Sequence, residues 1–192
     1  MAYGKSKFTI PEYLEMEHHA TDKHEYYRGE IFAMSGAKHT HNVVVRNIYF
    51  ALGRKLAGKP CQPLGSDSRI HIPANSLFTY PDISVICGEP QFLNDDQWNI
   101  LNPTMIVEVL SPSTRSYDRG DKFKLYRDIP TLRDYVLVDA DQVGIEQYTM
   151  NTYGQWQLTE YKHIEETLRL KSLGLSLKLA DVYEGVDFGL AR

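Results

Sequence analysis

The chain has 192 residues, of which 42% are apolar and 24% charged, and its formal net charge is −4. This composition is ordinary for a globular protein and predicts one domain over residues 1–192. No apolar run reaches the roughly 20 residues of a membrane helix, and the first ten residues lack the apolar stretch of a signal peptide, so we expect a cytoplasmic protein. The acidic balance counts against a broad basic surface for nucleic acid, although basic residues cluster at 46–59 and 115–127.

The first third of the chain predicts a helix, a hairpin and a longer helix. Thr9 and Glu12 have the spacing of a capping box and predict a short helix to about residue 16. Residues 23–34, rich in Tyr and Ile around an Arg-Gly pair, predict a hairpin. Residues 40–56 predict a helix because apolar side chains recur there every four residues, at Val44, Ile48, Leu52 and Leu56.

Strand signals dominate the middle of the chain. Three strands are predicted, over residues 68–72, 77–87 and 105–110, with a polar, irregular connection over 88–102. A helix is predicted to follow over about 117–128.

The last part of the chain predicts a strand, a meander and a terminal helix. The strand covers 134–139, and the meander covers 143–150, 155–161 and 168–170. A short helix is expected near 179–184. Helices interleaved with strands of mixed character predict an α/β fold, with a mixed central sheet flanked by helices.

The sulfur and imidazole side chains suggest no metal site. Cys61 and Cys87 are the two cysteines, and their separation has no short metal-type spacing, so two core thiols in a reducing compartment are expected. Five histidines also fit no familiar zinc spacing and are interpreted as surface residues: His18, His19, His24, His39 and His41.

Three features of the sequence could carry chemistry. Asp82 follows Pro81 at the mouth of a predicted strand. Glu108 lies in an otherwise apolar strand, where a carboxylate is costly to bury unless it is paired or bound to a metal. At helical spacing Asp118, Lys122 and Tyr126 share one face. The alternative for Asp118 and Lys122 is a simple surface ion pair.

In this order the residues resemble the Uma family of restriction-endonuclease-like proteins, a branch of the PD-(D/E)xK nuclease superfamily. The resemblance is strongest over residues 12–139, and Pro81-Asp82 and Glu108-Val109 match its first two parts. Leu110 stands where the parent pattern has a lysine. In this branch the lysine instead belongs to the following helix, within a pattern like D-R-x-x-K-x-x-x-Y. Asp118, Arg119, Lys122 and Tyr126 match that pattern position by position.

The resemblance implies a restriction-endonuclease-like fold and a metal-dependent nuclease that hydrolyses phosphodiester bonds, most plausibly of DNA. Mg²⁺ or Mn²⁺ would be held by Asp82 and Glu108, with the Val109 carbonyl as in the superfamily. Lys122 would orient the attacking water or neutralise developing charge, and Glu25 would act as a further ligand or orient the others. The candidate substrate contacts are His41, Asp118, Tyr126 and Lys124.

Other interpretations stay open at this point. By analogy the protein would be a homodimer, because paired sites can cut both strands. A catalytically silent nucleic-acid-binding or interaction protein on the same fold would suit the acidic composition. A metal-dependent hydrolase of another phosphoester is a third possibility.

Overall fold

The computed structural model of the protein describes residues 7–94 and 96–189. It begins with helix α1 (Ile10–His19), whose capping box joins Thr9 and Glu12 as predicted; the helix extends three residues beyond the predicted end. The predicted hairpin follows as strands β1 (His24–Tyr27) and β2 (Glu30–Ala33). Both residues of its tight turn have positive φ, as this type of two-residue connection requires.

Helix α2 (His39–Leu56) is the longest helix of the described chain. Its predicted four-residue stripe is buried and packs against the central sheet. Burial of this stripe stabilises the helix more than its intrinsic propensity does, because most of the stability of a helix in a protein comes from packing of its apolar face.

In the described part of the chain, seven strands separate α2 from the next helical segment. They are β3 (Cys61–Gly65), β4 (Arg69–Ile72), β5 (Leu77–Thr79), β6 (Ile83–Cys87), β7 (Phe92–Leu93), β8 (Asp96–Ile100) and β9 (Pro103–Leu110).

A continuous helical segment comes next, and we call residues 115–126 the lysine helix. It consists of α3 (Arg115–Tyr117), a π-helical turn (Asp118–Lys122) and α4 (Phe123–Tyr126). The rest of the chain forms β10 (Asp134–Asp139), β11 (Ile145–Met150), β12 (Trp156–Tyr161), β13 (Thr167–Leu170), a 3₁₀ turn (Lys171–Leu173), β14 (Leu175–Lys178) and α5 (Leu179–Val182).

Two six-stranded mixed sheets form the body of the protein. The central sheet has the order β12-β11-β10-β9-β6-β3, in which β9 and β10 are parallel and the other neighbours antiparallel. The second sheet has the order β2-β1-β5-β4-β8-β7 and one parallel pair, β4 with β8. The predicted mixed α/β fold is confirmed.

The two faces of β9 lead to two different cores. Val107 and Val109 belong to the cluster that contains the α2 stripe. Ile106 and Leu110 belong to the cluster formed with the lysine helix. Since side chains alternate along a strand, Glu108 points toward the lysine helix, as its period-two position predicts. No helix of the described chain is both long and apolar enough to cross a bilayer.

Three of the predicted boundaries are wrong. Residues 77–87 form two strands instead of one, and β5 and β6 belong to different sheets. Residues 88–102 contain β7 and β8 rather than only irregular structure. The predicted meander ends at β12, because β13 pairs with β14 in a separate two-stranded sheet. In each case the local sequence does not show which strands become neighbours.

The prediction of two free core thiols is also wrong. Cys61 and Cys87 lie opposite each other in the β3–β6 pair and form a disulfide, with their Cα atoms 4.0 Å apart. Their separation of 26 residues gives no sign of this contact, because it depends on the pairing register of two strands.

Candidate active site

The carboxylates singled out in the sequence converge on a pocket of about 490 Å³. One wall is the segment between β2 and α2, and another is the loop 111–114 that links β9 to the lysine helix. Between these walls lie Glu25, Asp82 and Glu108. The pocket therefore collects residues from both sheets and from the first turn of α2.

Glu108 lies at the centre of the pocket wall with an exposed fraction of 5%. Its Oε1 accepts a hydrogen bond of 2.7 Å from the Tyr126 hydroxyl. The same oxygen lies 2.9 Å from the Lys122 Nζ. A buried carboxylate is stable only with such partners, and both come from the lysine helix.

The Lys122 ammonium joins three carboxylates. Besides Glu108, its Nζ lies 3.4 Å from Glu25 Oε1 and 3.8 Å from Asp118 Oδ1. Lys122 is 6% exposed and Asp118 is also buried, so the alternative of a surface ion pair is wrong. Both residues belong to the π-helical turn, a local irregularity often found at functional sites.

Glu25 is fixed from the second sheet. The Thr79 hydroxyl at the end of β5 donates a hydrogen bond to Glu25 Oε1. The same hydroxyl lies 3.5 Å from the Tyr126 hydroxyl, which in turn donates to Glu108. The two sheets are thus connected through the site by a chain of polar contacts.

Asp82 lies where the chain crosses from the second sheet to the central one. The β6–β9 register pairs Ile83 with Val107, and continued by one residue it places Asp82 at the level of Glu108. The Val109 N–H donates to Asp82 Oδ2 over 2.7 Å. The same oxygen lies 3.2 Å from His41 Nε2 in the first turn of α2.

The electrostatics of the pocket are dominated by negative charge. The pocket is lined by two ammonium groups, Lys38 and Lys122, and by five carboxylates, so its formal charge is −3 when His41 is neutral. The carboxylates are Glu25, Asp82, Glu108, Asp118 and Asp141. Burial raises the pKa of Glu108 to about 8, and the charges of Asp118 and Asp82 add to this while Lys122 opposes it. Burial likewise raises the pKa of Asp118.

The pKa values of two basic groups of the pocket, Lys122 and His41, are raised. Burial alone would lower the pKa of Lys122, but Glu108 and Glu25 outweigh burial and raise it well above its ordinary value. Burial also acts to lower the pKa of His41, and the hydrogen bond and charge of Asp82 more than offset it, so the net shift is upward. Lys122 is therefore a permanent cation at neutral pH.

The donor chemistry of the pocket fits a hard divalent cation. Carboxylate oxygens are the ligands that Mg²⁺ prefers, and one or two of them suffice when water and phosphate complete the shell. Asp82 and Glu108 offer such oxygens, and a dication would offset most of the excess charge. Within residues 7–94 and 96–189 no three His, Cys, Asp or Glu side chains are arranged around a common metal position.

The structure brings nearly all of the predicted site residues together. The pocket is lined by Glu25, His41, Asp82, Glu108, Val109, Asp118 and Lys122. Tyr126 lies behind Glu108 and is fully buried. Lys124 does not reach the pocket, since it points to the surface and its Nζ lies 2.9 Å from Asp121.

Two residues of the site were not singled out from the sequence. Thr79 is an ordinary strand residue until the contact of β5 with β1 places it beside Glu25. Tyr117 lines the pocket, with its ring centroid 6.0 Å from Lys122 Nζ. Its position directly before Asp118 was the available hint.

The basic cluster at 115–127 does not form an open cationic face. Arg115 lies 2.9 Å from Asp139, and Arg119 lies 2.6 Å from Glu146. Lys122 and Lys124 are also paired with carboxylates, so most of this charge is neutralised by acidic residues of the chain itself.

Comparison with known proteins relates the chain to nucleases. A family model named Uma2 and described as "Putative restriction endonuclease" matches residues 10–180. An uncharacterized protein of Synechocystis sp., slr1290, is 40% identical over 182 residues, which cover 95% of this chain and 94% of that protein. A second, sll1609 from the same organism, is 38% identical over 152 residues, which cover 79% and 86%.

A solved structure has a similar fold. It is described as a "putative nuclease belonging to DUF820" from Anabaena variabilis and has a TM-score of 0.75. The match covers 92% of this chain and 97% of that one, at 16% sequence identity. At this identity the likeness concerns the fold alone.

Proposed function

The chain belongs to the Uma2 family, described as "Putative restriction endonuclease", and from that membership we propose that it is a metal-dependent endonuclease that hydrolyses phosphodiester bonds of DNA. The observation that carries the proposal is the convergence of Asp82, Glu108 and Lys122 on one pocket. Asp82 lies directly before β6, Glu108 lies in β9 and Lys122 lies in the lysine helix, so their meeting is a property of the fold and not of a local motif.

The proposed metal ligands are Asp82 and Glu108, with Mg²⁺ or Mn²⁺ as the ion. When bound, such an ion supplies an acidified water and withdraws charge from the phosphoryl oxygens. The Val109 N–H holds Asp82 in place, and the Tyr126 hydroxyl holds Glu108. The Val109 carbonyl remains a further proposed ligand from the resemblance.

Lys122 acts in this proposal as a cation and not as a base, because Glu108 and Glu25 keep it protonated. Hydrolysis forms a bond from a water oxygen to phosphorus and breaks the bond to the leaving oxygen, which gains a proton. Negative charge builds up on the phosphoryl oxygens meanwhile, and a fixed ammonium stabilises it. Glu25 and Asp118 position that ammonium.

The amino terminus of α2 supports a phosphate at the same place. Thr40 and His41 in its first turn line the pocket, and the Lys38 side chain does not cap the helix. Unpaired N–H groups at a helix amino terminus favour an anion. His41, whose pKa is raised by the hydrogen bond and charge of Asp82, lies on the same side and adds a positive charge when it is protonated.

A catalytically silent protein that binds nucleic acid is the second candidate. The observation in its favour is the Lys122 ammonium, which already bridges Glu108 and Glu25 as a metal ion would. In such a protein Lys122 and bound protons would balance the negative charge of the pocket, and adding Mg²⁺ would not cause cleavage of nucleic acid.

The test is nicking of supercoiled plasmid with Mg²⁺ or Mn²⁺ by the parent protein and by Glu108→Gln. The matched control is Glu160→Gln, an exposed glutamate paired with Lys162 outside this pocket. We expect metal-dependent nicking by the parent and the control and a loss of at least a hundredfold in Glu108→Gln, since a metal ligand is removed. Equal nicking by all three proteins would contradict the assignment, and nicking by none would favour the silent protein.

A further inference from the structure

Two exposed aromatic rings stand beside the acidic centre. Phe32 is 48% exposed and Tyr117 is 38% exposed, and both line the pocket that contains Glu108 and Lys122. Other large aromatic residues near the site, such as Tyr126, are buried in the core. Packing in the core therefore does not explain why Phe32 and Tyr117 lie exposed beside the site.

The strand register places Phe32 next to Glu25. In the β1–β2 pair Phe32 lies directly opposite Glu25. Residues opposite each other in a pair project from the same face, with Cβ atoms about 4.5–5.5 Å apart. Ile31 projects from the other face and is buried in the core with Phe78. Phe32 is thus the neighbour of a carboxylate that contacts Lys122, and its ring faces the pocket.

Tyr117 also lines the pocket, in the first turn of the lysine helix. Its ring faces the Lys122 ammonium, with 6.0 Å between the Nζ and the ring centroid. Burial, together with the charge of Glu25, raises the pKa of its hydroxyl to about 12, so the ring stays neutral. One face of the Tyr117 ring thus lies toward Lys122, and the side chain remains partly exposed in the pocket.

We propose that Phe32 and Tyr117 form a stacking surface for a nucleobase next to the phosphate to be cleaved, so that the substrate is an unpaired stretch of a DNA strand. This inference rests on the proposed function. In an intact duplex both faces of each base are covered by neighbouring bases, so only an unstacked base can present a face to an aromatic side chain. Stacking of this kind accepts every base, because each has a π-face.

The charge distribution supports an unpaired strand over a duplex. Proteins that hold a duplex do so mainly through cations on its phosphates. Here Arg115 and Arg119 are paired with carboxylates of the chain itself, and the net charge is −4. Stacking does not depend on net charge, so it can supply the affinity that an acidic protein cannot draw from phosphate contacts alone.

The test is binding of a labelled 20-nucleotide single strand and of the matching duplex, measured by fluorescence anisotropy with the full chain in Ca²⁺. The variants are Phe32→Ala and Phe32→Trp. The matched control is Phe50→Ala, which removes a phenylalanine that is 65% exposed on α2 and outside the pocket. Because both phenylalanines are exposed, neither substitution should disturb folding, and thermal unfolding checks this.

We expect the parent to bind the single strand at least tenfold more tightly than the duplex. Phe32→Ala should weaken single-strand binding five- to tenfold, while Phe50→Ala leaves it unchanged. Phe32→Trp should bind like the parent, and its indole fluorescence should be quenched by the strand, which a merely structural role would not produce.

Several outcomes would overturn the stacking surface: equal affinity for strand and duplex, unchanged affinity in Phe32→Ala, equal losses in the two alanine variants, or no binding of either form. The proposed function fails separately. Strand binding that depends on Phe32 without cleavage in Mg²⁺ or Mn²⁺ would retain the stacking surface and refute the nuclease. Metal-dependent plasmid nicking together with unchanged strand binding by Phe32→Ala would retain the nuclease and refute the stacking surface.

Discussion

Glu108 occupies a position on β9 where its neighbours Ile106 and Leu110 belong to an apolar core. Tyr126 and Lys122 satisfy its oxygen, but the surrounding carboxylates leave excess negative charge. Functional sites commonly keep such unfavourable groups at a cost in stability. The effect of substituting Glu108 on the free energy of unfolding therefore measures how much the site opposes folding.

Substitution Glu108→Gln should stabilise the metal-free protein, and increasingly so at higher pH. The pKa of Glu108 rises from 4.5 to about 8 on folding, so the folded chain binds this proton more tightly than the unfolded chain. That stability is present below pH 4.5 and is lost as the pH rises through 8. Glutamine never acquires the charge, so we expect a gain of about 1–3 kcal/mol at pH 8.5 and little gain at pH 5.

The measurement is urea unfolding in EDTA at both pH values, with Glu160→Gln as the exposed control. A gain of the same size at pH 5 and pH 8.5 would show that packing rather than charge is responsible. A destabilised variant at pH 8.5 would show that the Lys122 ion pair outweighs the burial of Glu108.

At the scale of elements, β6 is tied to both of its neighbours. At its start Asp82 accepts the Val109 N–H from β9, and at its end Cys87 is bonded to Cys61 of β3. β3 lies at the edge of the central sheet and would otherwise be held by one neighbouring strand. The disulfide thus fixes the edge strand β3 at one end of β6, and Asp82 of the candidate site lies at the other end of β6.

We predict that Cys61→Ser lowers the free energy of unfolding by about 3 kcal/mol relative to the oxidised parent, because the disulfide closes a loop of 26 residues in the unfolded chain. Urea unfolding with and without dithiothreitol checks this, and the reductant should affect the parent but not Cys61→Ser. If the reductant leaves the parent unchanged, the cysteines are free thiols, as the sequence suggested.

At the scale of the whole molecule, the pocket opens between two sheets of mixed strands. The central sheet supplies Asp82 and Glu108, and the second sheet supplies Glu25 and Phe32. Sliding of one sheet against the other would therefore separate the stacking surface from the carboxylates. Two contacts oppose such sliding: Thr79 lies against the Tyr126 hydroxyl that donates to Glu108, and Lys122 lies between Glu25 and Glu108.

We predict that the protein forms a homodimer, as the family resemblance implies, because a two-fold pair presents two sites to the two strands of an opened duplex. Light scattering after size-exclusion chromatography should give twice the 22.1 kDa of one chain. A mass of one chain at micromolar concentration would contradict the pairing and would mean that each site cuts one strand on its own.

Much of the fold follows from local signals. The four-residue stripe at Val44 to Leu56 predicts α2, and the strand 134–139 is predicted to the residue. The alternation around Glu108 predicts which face of β9 it occupies. These signals succeed because helix periodicity, capping and strand alternation are set by residues close in the chain.

Long-range contacts account for what the sequence left open. The break at Tyr80–Asp82 is a passage between sheets, and Pro81 alone does not distinguish this from the mouth of a single strand. Whether Lys124 reaches the pocket depends on the direction in which its side chain leaves the lysine helix. In the folded chain that side chain points away from the pocket and contacts Asp121.

The sequence by itself determined the helices and most of the strands, their approximate bounds, and the set of carboxylates with Lys122 that the family resemblance selected. The tertiary structure alone decided the Cys61–Cys87 pairing, the ion pairs that neutralise the arginines, and the place of Phe32 beside Glu25. The physical reason is that local structure depends on side chains a few residues apart. Pairing register, burial and net charge in a pocket depend on which distant strands become neighbours, and only the folded chain specifies that.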